Sequence, residues 1–161
     1  MSAPIHDITL TVNGETVAEA VEPRTTLVDF LREALGLTGS HVGCEHGVCG
    51  ACTVRIDGVI VRGCLTLAEQ CDGKQIDTIE GLSDSGELAD LQAAFEKRNA
   101  LQCGFCTPGM LLTAQELLAA GGVPSRDTIR AHISGNYCRC TGYHAIVDAI
   151  ESVAQARAGT G

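Results

Sequence analysis

The chain has 161 residues, 45% of them hydrophobic and 3% aromatic, with no tryptophan, and this length suits one domain of ordinary size or two small ones. Twenty acidic residues against eleven basic ones give a net charge of −9, which excludes the basic surface that nucleic acids and anionic membranes require. No apolar run approaches the length of a membrane span, so we expect no transmembrane helix.

Strands dominate the first half of the chain. Alternating apolar and polar residues over 8–21, interrupted by an Asn-Gly dipeptide, predict a hairpin with a tight turn. A second hairpin is predicted over 53–61 around Asp-Gly, and one more short strand over 76–79. Between the hairpins, a pair of threonines precedes a predicted short helix over 27–35. We therefore predict a small α+β domain over residues 1–80.

Helical spacing takes over after Gly81. Apolar residues recur every three or four positions in four segments, which predicts four helices. These segments are 88–95, 110–118, 129–133 and 146–154. The polar and glycine residues at 83–86 are typical of a linker, so we predict a second, helical-bundle domain over residues 81–161.

Nine cysteines are the most unusual feature of the composition. Residues 1–7 have neither the basic nor the apolar part of a secretory leader, so we expect a cytoplasmic protein. Disulfides rarely persist in a reducing compartment, where grouped thiols usually bind metal or carry out redox chemistry. A secreted disulfide scaffold is the alternative, and the odd number of cysteines counts against it. Cys71 has no close partner in the sequence and is interpreted as a packed or surface thiol.

The first group of cysteines lies on one glycine-rich loop and the hairpin that follows it. It consists of Cys44, Cys49, Cys52 and Cys64. The intervals of four and two residues within the loop are those of plant-type 2Fe-2S ferredoxins. Zinc is the alternative, although structural zinc sites usually take their thiolates from two short knuckles. A Rieske site would need a later C-x2-H pattern that is missing, so His46 is interpreted as a loop side chain.

The second group consists of two close pairs at predicted helix starts. Its members are Cys103, Cys106, Cys138 and Cys140. Thr107 with Pro108, and Thr141 with Gly142, suit the first positions of helices. The positive ends of both helix dipoles would then face an anionic, thiolate-bound metal site. A dithiol redox site at the first pair is the alternative, but no βαβ pattern surrounds it.

Three segments of the sequence together resemble a known family. They are GCEHGVCGACTV at 43–54, QCGFCTPGM at 102–110 and GNYCRCTGY at 135–143. In this order they resemble the iron-sulfur subunit of the molybdenum hydroxylases, which include xanthine dehydrogenase, aldehyde oxidoreductase, carbon monoxide dehydrogenase and bacterial dehydrogenases of N-heterocycles. The resemblance covers nearly the whole chain, and no ligand of the family pattern is missing.

The resemblance implies an α+β protein with a plant-type ferredoxin-like (β-grasp) domain followed by a helical-bundle domain. Each domain would hold one 2Fe-2S cluster through one of the two groups of four cysteines. Residues matching Gln102 and Cys140 contact the molybdopterin in the family, so these two are the predicted pterin contacts. None of these residues would be catalytic.

The resemblance further implies that the chain is an electron-transfer subunit. A large subunit would hold molybdopterin with molybdenum and oxidise the substrate, and a medium subunit would hold FAD, in a heterotrimer or a dimer of heterotrimers. The helical-domain cluster would lie nearest to the pterin and the other cluster toward the flavin. A free-standing two-cluster carrier and a zinc-stabilised interaction module are the alternatives. The chain has no G-x-G-x-x-G fingerprint and no P-loop.

Overall fold

The computed structural model describes residues 4–159. Residues 1–3 lie outside this range; they belong to the 1–7 segment from which the absence of a secretory leader is predicted. Residues 160 and 161, the last two of the predicted second domain, lie outside it as well. Between residues 4 and 159, no helix is long and apolar enough to cross a membrane.

Five strands form one mixed sheet in the order β2-β1-β5-β3-β4. Their bounds are His6–Val12 (β1), Glu15–Val21 (β2), Thr53–Ile56 (β3), Val59–Arg62 (β4) and Gln75–Asp77 (β5). β1 and β5 are parallel, and every other neighbouring pair is antiparallel. Both predicted hairpins are confirmed. Asn13 and Asp57 begin their turns at φ 51° and 49°, and each is followed by a glycine with positive φ, as tight hairpin turns require.

Within residues 4–159, six α-helices follow or interrupt the strands. Their bounds are Leu27–Asp29 (α1), which continues as a π-helix over Phe30–Ala34, then Ile79–Asp84 (α2), Ala89–Lys97 (α3), Thr107–Ala119 (α4), Arg126–His132 (α5) and His144–Gly159 (α6). The four helices predicted from apolar spacing are confirmed as α3 to α6. The cap predicted for the short helix is also confirmed, because Thr26 Oγ1 accepts a hydrogen bond from Asp29 N–H.

The predictions for the connection between the two halves were wrong in detail. The strand predicted over 76–79 ends at Asp77, because Thr78 N–H donates to Asn13 Oδ1 at 2.9 Å and the chain then turns into α2. α2 also occupies the first half of the predicted linker. Its Leu82 is buried in the core formed by the later helices, so this segment is packed rather than extended.

The two helix starts beside the second cysteine group also differ from prediction. Cys106 is the N-cap of α4, with Thr107 as the first helical residue. α6 begins only at His144. The reason is that Thr141 makes a local turn in which its Oγ1 accepts a hydrogen bond from Tyr143 N–H at 3.2 Å.

Buried apolar residues form two separate cores. One lies between the sheet and α1, around Leu10, Phe30 and Val54. The other lies among α2 to α6, around Phe95 and Ile150. α4 also contacts β3 and β4, so the helices pack against the end of the sheet that carries the first cysteine group.

Candidate metal centres

The first group of thiols is assembled by the β3–β4 hairpin and the loop before it. In this hairpin Thr53 pairs with Arg62, so the residues just outside this pair leave the sheet at the same end. Gly63 N–H donates to Cys52 C=O at 3.1 Å, and the Cys52 thiol lies close enough to the thiols of Cys64 and Cys49 for both to raise its pKa. The preceding loop curls so that Cys49 N–H donates to Cys44 Sγ at 3.4 Å. All four predicted residues of this group are therefore brought together.

Glycines allow this loop to close. Gly47 and Gly50 have φ of +83° and +75°, values that side chains with a Cβ disfavour. At Gly43 a Cβ would lie 3.1 Å from Cys49 Sγ, so a larger residue would crowd the thiols.

The environments of these thiols differ sharply. Hydrogen bonds from the backbone N–H groups of Cys49 and His46 lower the pKa of Cys44 to about 6. Burial raises the pKa of Cys52 to about 11, and the neighbouring Cys64 thiol adds to the effect. A buried thiol beside other thiols loses its proton when a metal cation compensates the charge. The site therefore stabilises one thiolate by itself and needs a cation for another.

The second group of thiols lies where the start of α4 meets the loop before α6. Cys103 Sγ and Cys140 Sγ are 3.5 Å apart. The thiols of Cys106 and Cys138 are also in contact. Each member of the first pair thus meets one member of the second pair, and all four predicted residues come together.

Burial and hydrogen bonds shift the pKa values of the thiols in the second group in opposite directions. Burial raises the pKa of Cys106 to about 12, and the nearby Cys138 thiol contributes. Burial is the largest single influence on Cys138 and disfavours its charged form, but hydrogen bonds from Thr141, together with those from Cys140 and Cys106, outweigh burial, and the net pKa is lowered. The bonds from Thr141 come from its Oγ1 at 3.1 Å and its N–H at 3.4 Å. Cys138 N–H in turn donates to Tyr143 Oη at 2.8 Å.

The donor chemistry of both groups fits 2Fe-2S clusters. All nine cysteines are free thiols, and a 2Fe-2S cluster takes four thiolates, two on each iron. In both groups the contacts join the thiols in pairs, which suits the two ligands on each iron of such a cluster. Cys71 takes no part, because it is fully buried in the sheet core.

The two predicted pterin contacts are neighbours at the surface. Gln102 Nε2 donates to the carbonyl oxygen of Cys140 at 3.1 Å, and both residues are exposed. The amide of Gln102 is therefore held beside the most exposed edge of the second thiol group, where an external molecule has access.

The two thiol groups meet at a tightly packed junction. Tyr137 N–H donates to the carbonyl oxygen of Cys49 at 2.8 Å. The buried side chain of Asn136 donates to Gly50 C=O at 3.3 Å and accepts from Thr113 Oγ1 at 3.0 Å. A Cβ at Gly109 would lie 2.2 Å from the oxygen of Gly50. The loop of the first group and the start of α4 thus approach as closely as two glycines permit.

Most of this junction was not predicted from the sequence. Neither Asn136 nor Gly109 was expected to make a contact, and Thr141 was expected only at a helix start. The available signal was weak: each of these residues lies within three positions of a cysteine. Nothing in the spacing indicates which distant segment it touches.

Exposed apolar side chains flank the cysteines along the chain. Val48, Leu65, Leu101, Phe105 and Tyr137 are between 39% and 63% exposed, and each lies next to, or two positions from, a cysteine of one of the two groups. The ring of Phe105 stacks on His41 with a centroid distance of 4.6 Å. Aromatic side chains such as Phe105 and Tyr137 are enriched in interfaces with other proteins.

Two protein families match the two halves of the chain. Residues 10–83 match the family described as 2Fe-2S iron-sulfur cluster binding domain. Residues 78–151 match the family described as 2Fe-2S binding domain. Each match contains one of the two cysteine groups in full.

Relatives in bacteria match the chain over almost its whole length. The caffeine dehydrogenase subunit gamma of Pseudomonas sp. (strain CBB1) is 54% identical over 151 residues, which cover 92% of this chain and 90% of that subunit. The nicotine 6-hydroxylase small subunit of Paenarthrobacter nicotinovorans is 54% identical over 144 residues, covering 89% and 87%.

Solved structures agree in fold. A chain of quinoline 2-oxidoreductase from Pseudomonas putida 86 has a TM-score of 0.90 and 53% identity, covering 97% of this chain and 96% of that one. Aldehyde oxidoreductase from Desulfovibrio gigas has a TM-score of 0.87 and 43% identity, but the match spans 18% of its much longer chain. The same fold therefore occurs both as a separate small chain and as part of a longer one.

Proposed function

The chain belongs to the family of small iron-sulfur subunits of molybdenum hydroxylases, and on that basis we propose that it carries electrons between a molybdenum centre and FAD or another acceptor. A 2Fe-2S cluster accepts or gives up one electron at a time, so two of them in series connect a two-electron oxidation to a distant acceptor. The observation that supports this relay best is the hydrogen bond from Tyr137 N–H to Cys49 C=O. It joins the backbone of one thiol group to that of the other.

Cys44, Cys49, Cys52 and Cys64 are the proposed ligands of one cluster, and Cys103, Cys106, Cys138 and Cys140 those of the other. The contacts within each group support this assignment, as does the match of one 2Fe-2S family to each half. The presence of two separate cores supports the proposed division into a β-grasp domain over 1–80 and a helical domain over 81–161. The nine free thiols are also consistent with a reducing, cytoplasmic location.

The partners are a large molybdopterin-binding subunit and a medium FAD-binding subunit, in a heterotrimer or a dimer of heterotrimers. Gln102 and the exposed Cys140 support contact of the second thiol group with the pterin. Leu101, Phe105 and Tyr137 would be covered in the same contact, which accounts for their exposure in the single chain. The first thiol group, flanked by Val48 and Leu65, would face the flavin.

The substrate class proposed for the complex is an N-heterocycle. Caffeine, nicotine and quinoline, named in three relatives at 53% or 54% identity, are all compounds of this class. The aldehyde oxidoreductase relatives have lower identities of 41% to 45%.

Replacement of single cysteines tests the ligand assignment. In the purified complex reduced with dithionite, we expect Cys106→Ser to abolish or alter one of two distinguishable paramagnetic signals and to leave the other unchanged. Cys52→Ser should affect the opposite signal. Cys71→Ser is the matched control, and it should retain both signals and the full iron content.

Two outcomes would contradict the proposal. One is the joint loss of both signals in each ligand variant, because it would mean that the two groups do not form independent sites. The other is a fall in iron content in Cys71→Ser. Absence of a molybdenum-containing partner from the native complex would favour a free-standing carrier.

A further inference from the structure

Thr141 makes two hydrogen bonds to a single sulfur atom. Its Oγ1 lies 3.1 Å from Cys138 Sγ, and its backbone N lies 3.4 Å from the same atom. Tyr143 N–H donates to Thr141 Oγ1 at 3.2 Å. Because this bond uses a lone pair of the hydroxyl oxygen, the hydroxyl proton is free to point toward the sulfur.

The direction of the hydroxyl bond follows from the chemistry of a ligand. The proposed function makes Cys138 a ligand of the second cluster, and a thiolate that binds iron has no proton to donate. Thr141 O–H must then be the donor and Cys138 Sγ the acceptor. Within residues 4–159, Cys138 is the one proposed ligand whose sulfur accepts a hydrogen bond from a hydroxyl group.

A hydrogen bond to a ligand sulfur changes the free energy of electron uptake. Reduction adds one electron, and part of the added negative charge resides on the thiolate sulfurs. A donor at the sulfur therefore stabilises the reduced form more than the oxidised form, and it raises the reduction potential. No proton is transferred in this step, because the hydroxyl keeps its proton in both oxidation states.

We propose that Thr141 is a positioning residue whose hydroxyl raises the reduction potential of the cluster bound by Cys138. It thereby adjusts the second site without altering the first. The inference rests on the proposed ligand assignment and goes beyond it, since it gives a specific role to a residue that binds no metal.

Three variants of the whole complex test the proposal. Thr141→Val removes the hydroxyl and keeps the shape, whereas Thr141→Ser keeps the hydroxyl. Thr66→Val is the matched control: Thr66 lies two residues after Cys64, but its hydroxyl donates to Arg62 C=O at 3.2 Å rather than to sulfur. The measurement is a redox titration of both paramagnetic signals.

We expect Thr141→Val to lower the equilibrium constant for reduction of the second cluster about tenfold, which is about 59 mV for a one-electron couple. The first cluster should keep its potential. Thr141→Ser and Thr66→Val should match the wild type at both clusters.

Three results would overturn the proposal. They are an unchanged potential in Thr141→Val, an equal fall in Thr141→Ser, and equal shifts at both clusters. If Thr141→Val assembles no second cluster, electron-nuclear double resonance of the wild-type complex in H2O and D2O replaces the titration. The proposal then requires exchangeable protons coupled to the second signal, and their absence would refute it. A wild-type complex without a second iron-sulfur signal would instead contradict the ligand assignment.

Discussion

Gly109→Ala tests whether the junction between the two thiol groups depends on close backbone contact. Gly109 lies in the first turn of α4, and a Cβ there would be 2.2 Å from Gly50 O and 3.3 Å from Asn136 Nδ2. Real Cβ contacts below 3.0 Å essentially never occur. The helix and the loop must therefore separate by about 1 Å or distort locally.

The expected change in the free energy of unfolding of Gly109→Ala is the sum of opposing effects. Alanine is favoured over glycine within a helix by about 1 kcal/mol. Against this, overpacking of a tight contact costs about 1–3 kcal/mol, and a stretched bond from Asn136 to Gly50 costs about 1 kcal/mol more. We expect a net loss of about 2 kcal/mol, which corresponds to a fall in Tm of about 4–8 °C for a protein of this size.

The assay is thermal unfolding of the complex, followed by the visible absorption of the iron-sulfur clusters. Gly159→Ala is the matched control, because Gly159 also lies in a helix and a Cβ there meets no atom within 4 Å. We expect this control to match the wild type or exceed its Tm slightly. If Gly109→Ala is as stable as Gly159→Ala, the contact with Gly50 is not a constraint and our account of the junction is wrong.

Two further predictions concern pH and substrate. Hydrogen bonds from Arg55, at 2.7 and 3.0 Å, hold the pKa of Glu87 below its ordinary value of 4.5. Because this pKa is lower in the folded state, the stabilisation is present above about pH 4.5 and is lost as the pH falls through the folded-state value. Glu87→Gln should therefore lower the free energy of unfolding by about 1 kcal/mol at pH 7. Below pH 4.5, thermal unfolding should show a progressively smaller difference between this variant and the wild type, and a constant difference down to pH 3 would contradict this. For substrate, the purified complex with an artificial electron acceptor should oxidise N-heterocycles faster than aromatic aldehydes, and the reverse order would refute the proposed class.

The strands, hairpin turns and main helices were predictable because their signals are local. Asn13 and Asp57, each before a glycine, specify tight turns whatever surrounds them. The apolar spacing from Leu88 to Phe95 similarly specifies a helix before its partners are known. The short strand at 76–79 was predicted too long because its end depends on Asn13, which is distant in sequence and hydrogen-bonded to Thr78.

The sequence by itself determined the division of eight cysteines into two groups, because the spacing of cysteines on one loop or at one helix start is a local property. It also set Cys71 apart. Only the tertiary structure decided which thiols face each other, with Cys103 beside Cys140 and Cys106 beside Cys138.

The junction between the groups likewise exists only in the folded chain. Contact between Gly50 and Gly109 joins residues 59 positions apart, and it arises because α4 packs against the end of the β3–β4 hairpin. The role proposed for Thr141 depends on folding at a finer scale. Its sequence position suits a helix cap, but the backbone turns so that its hydroxyl and N–H both reach Cys138 Sγ. Side-chain direction is set by packing and by the local turn, and spacing along the chain does not encode it.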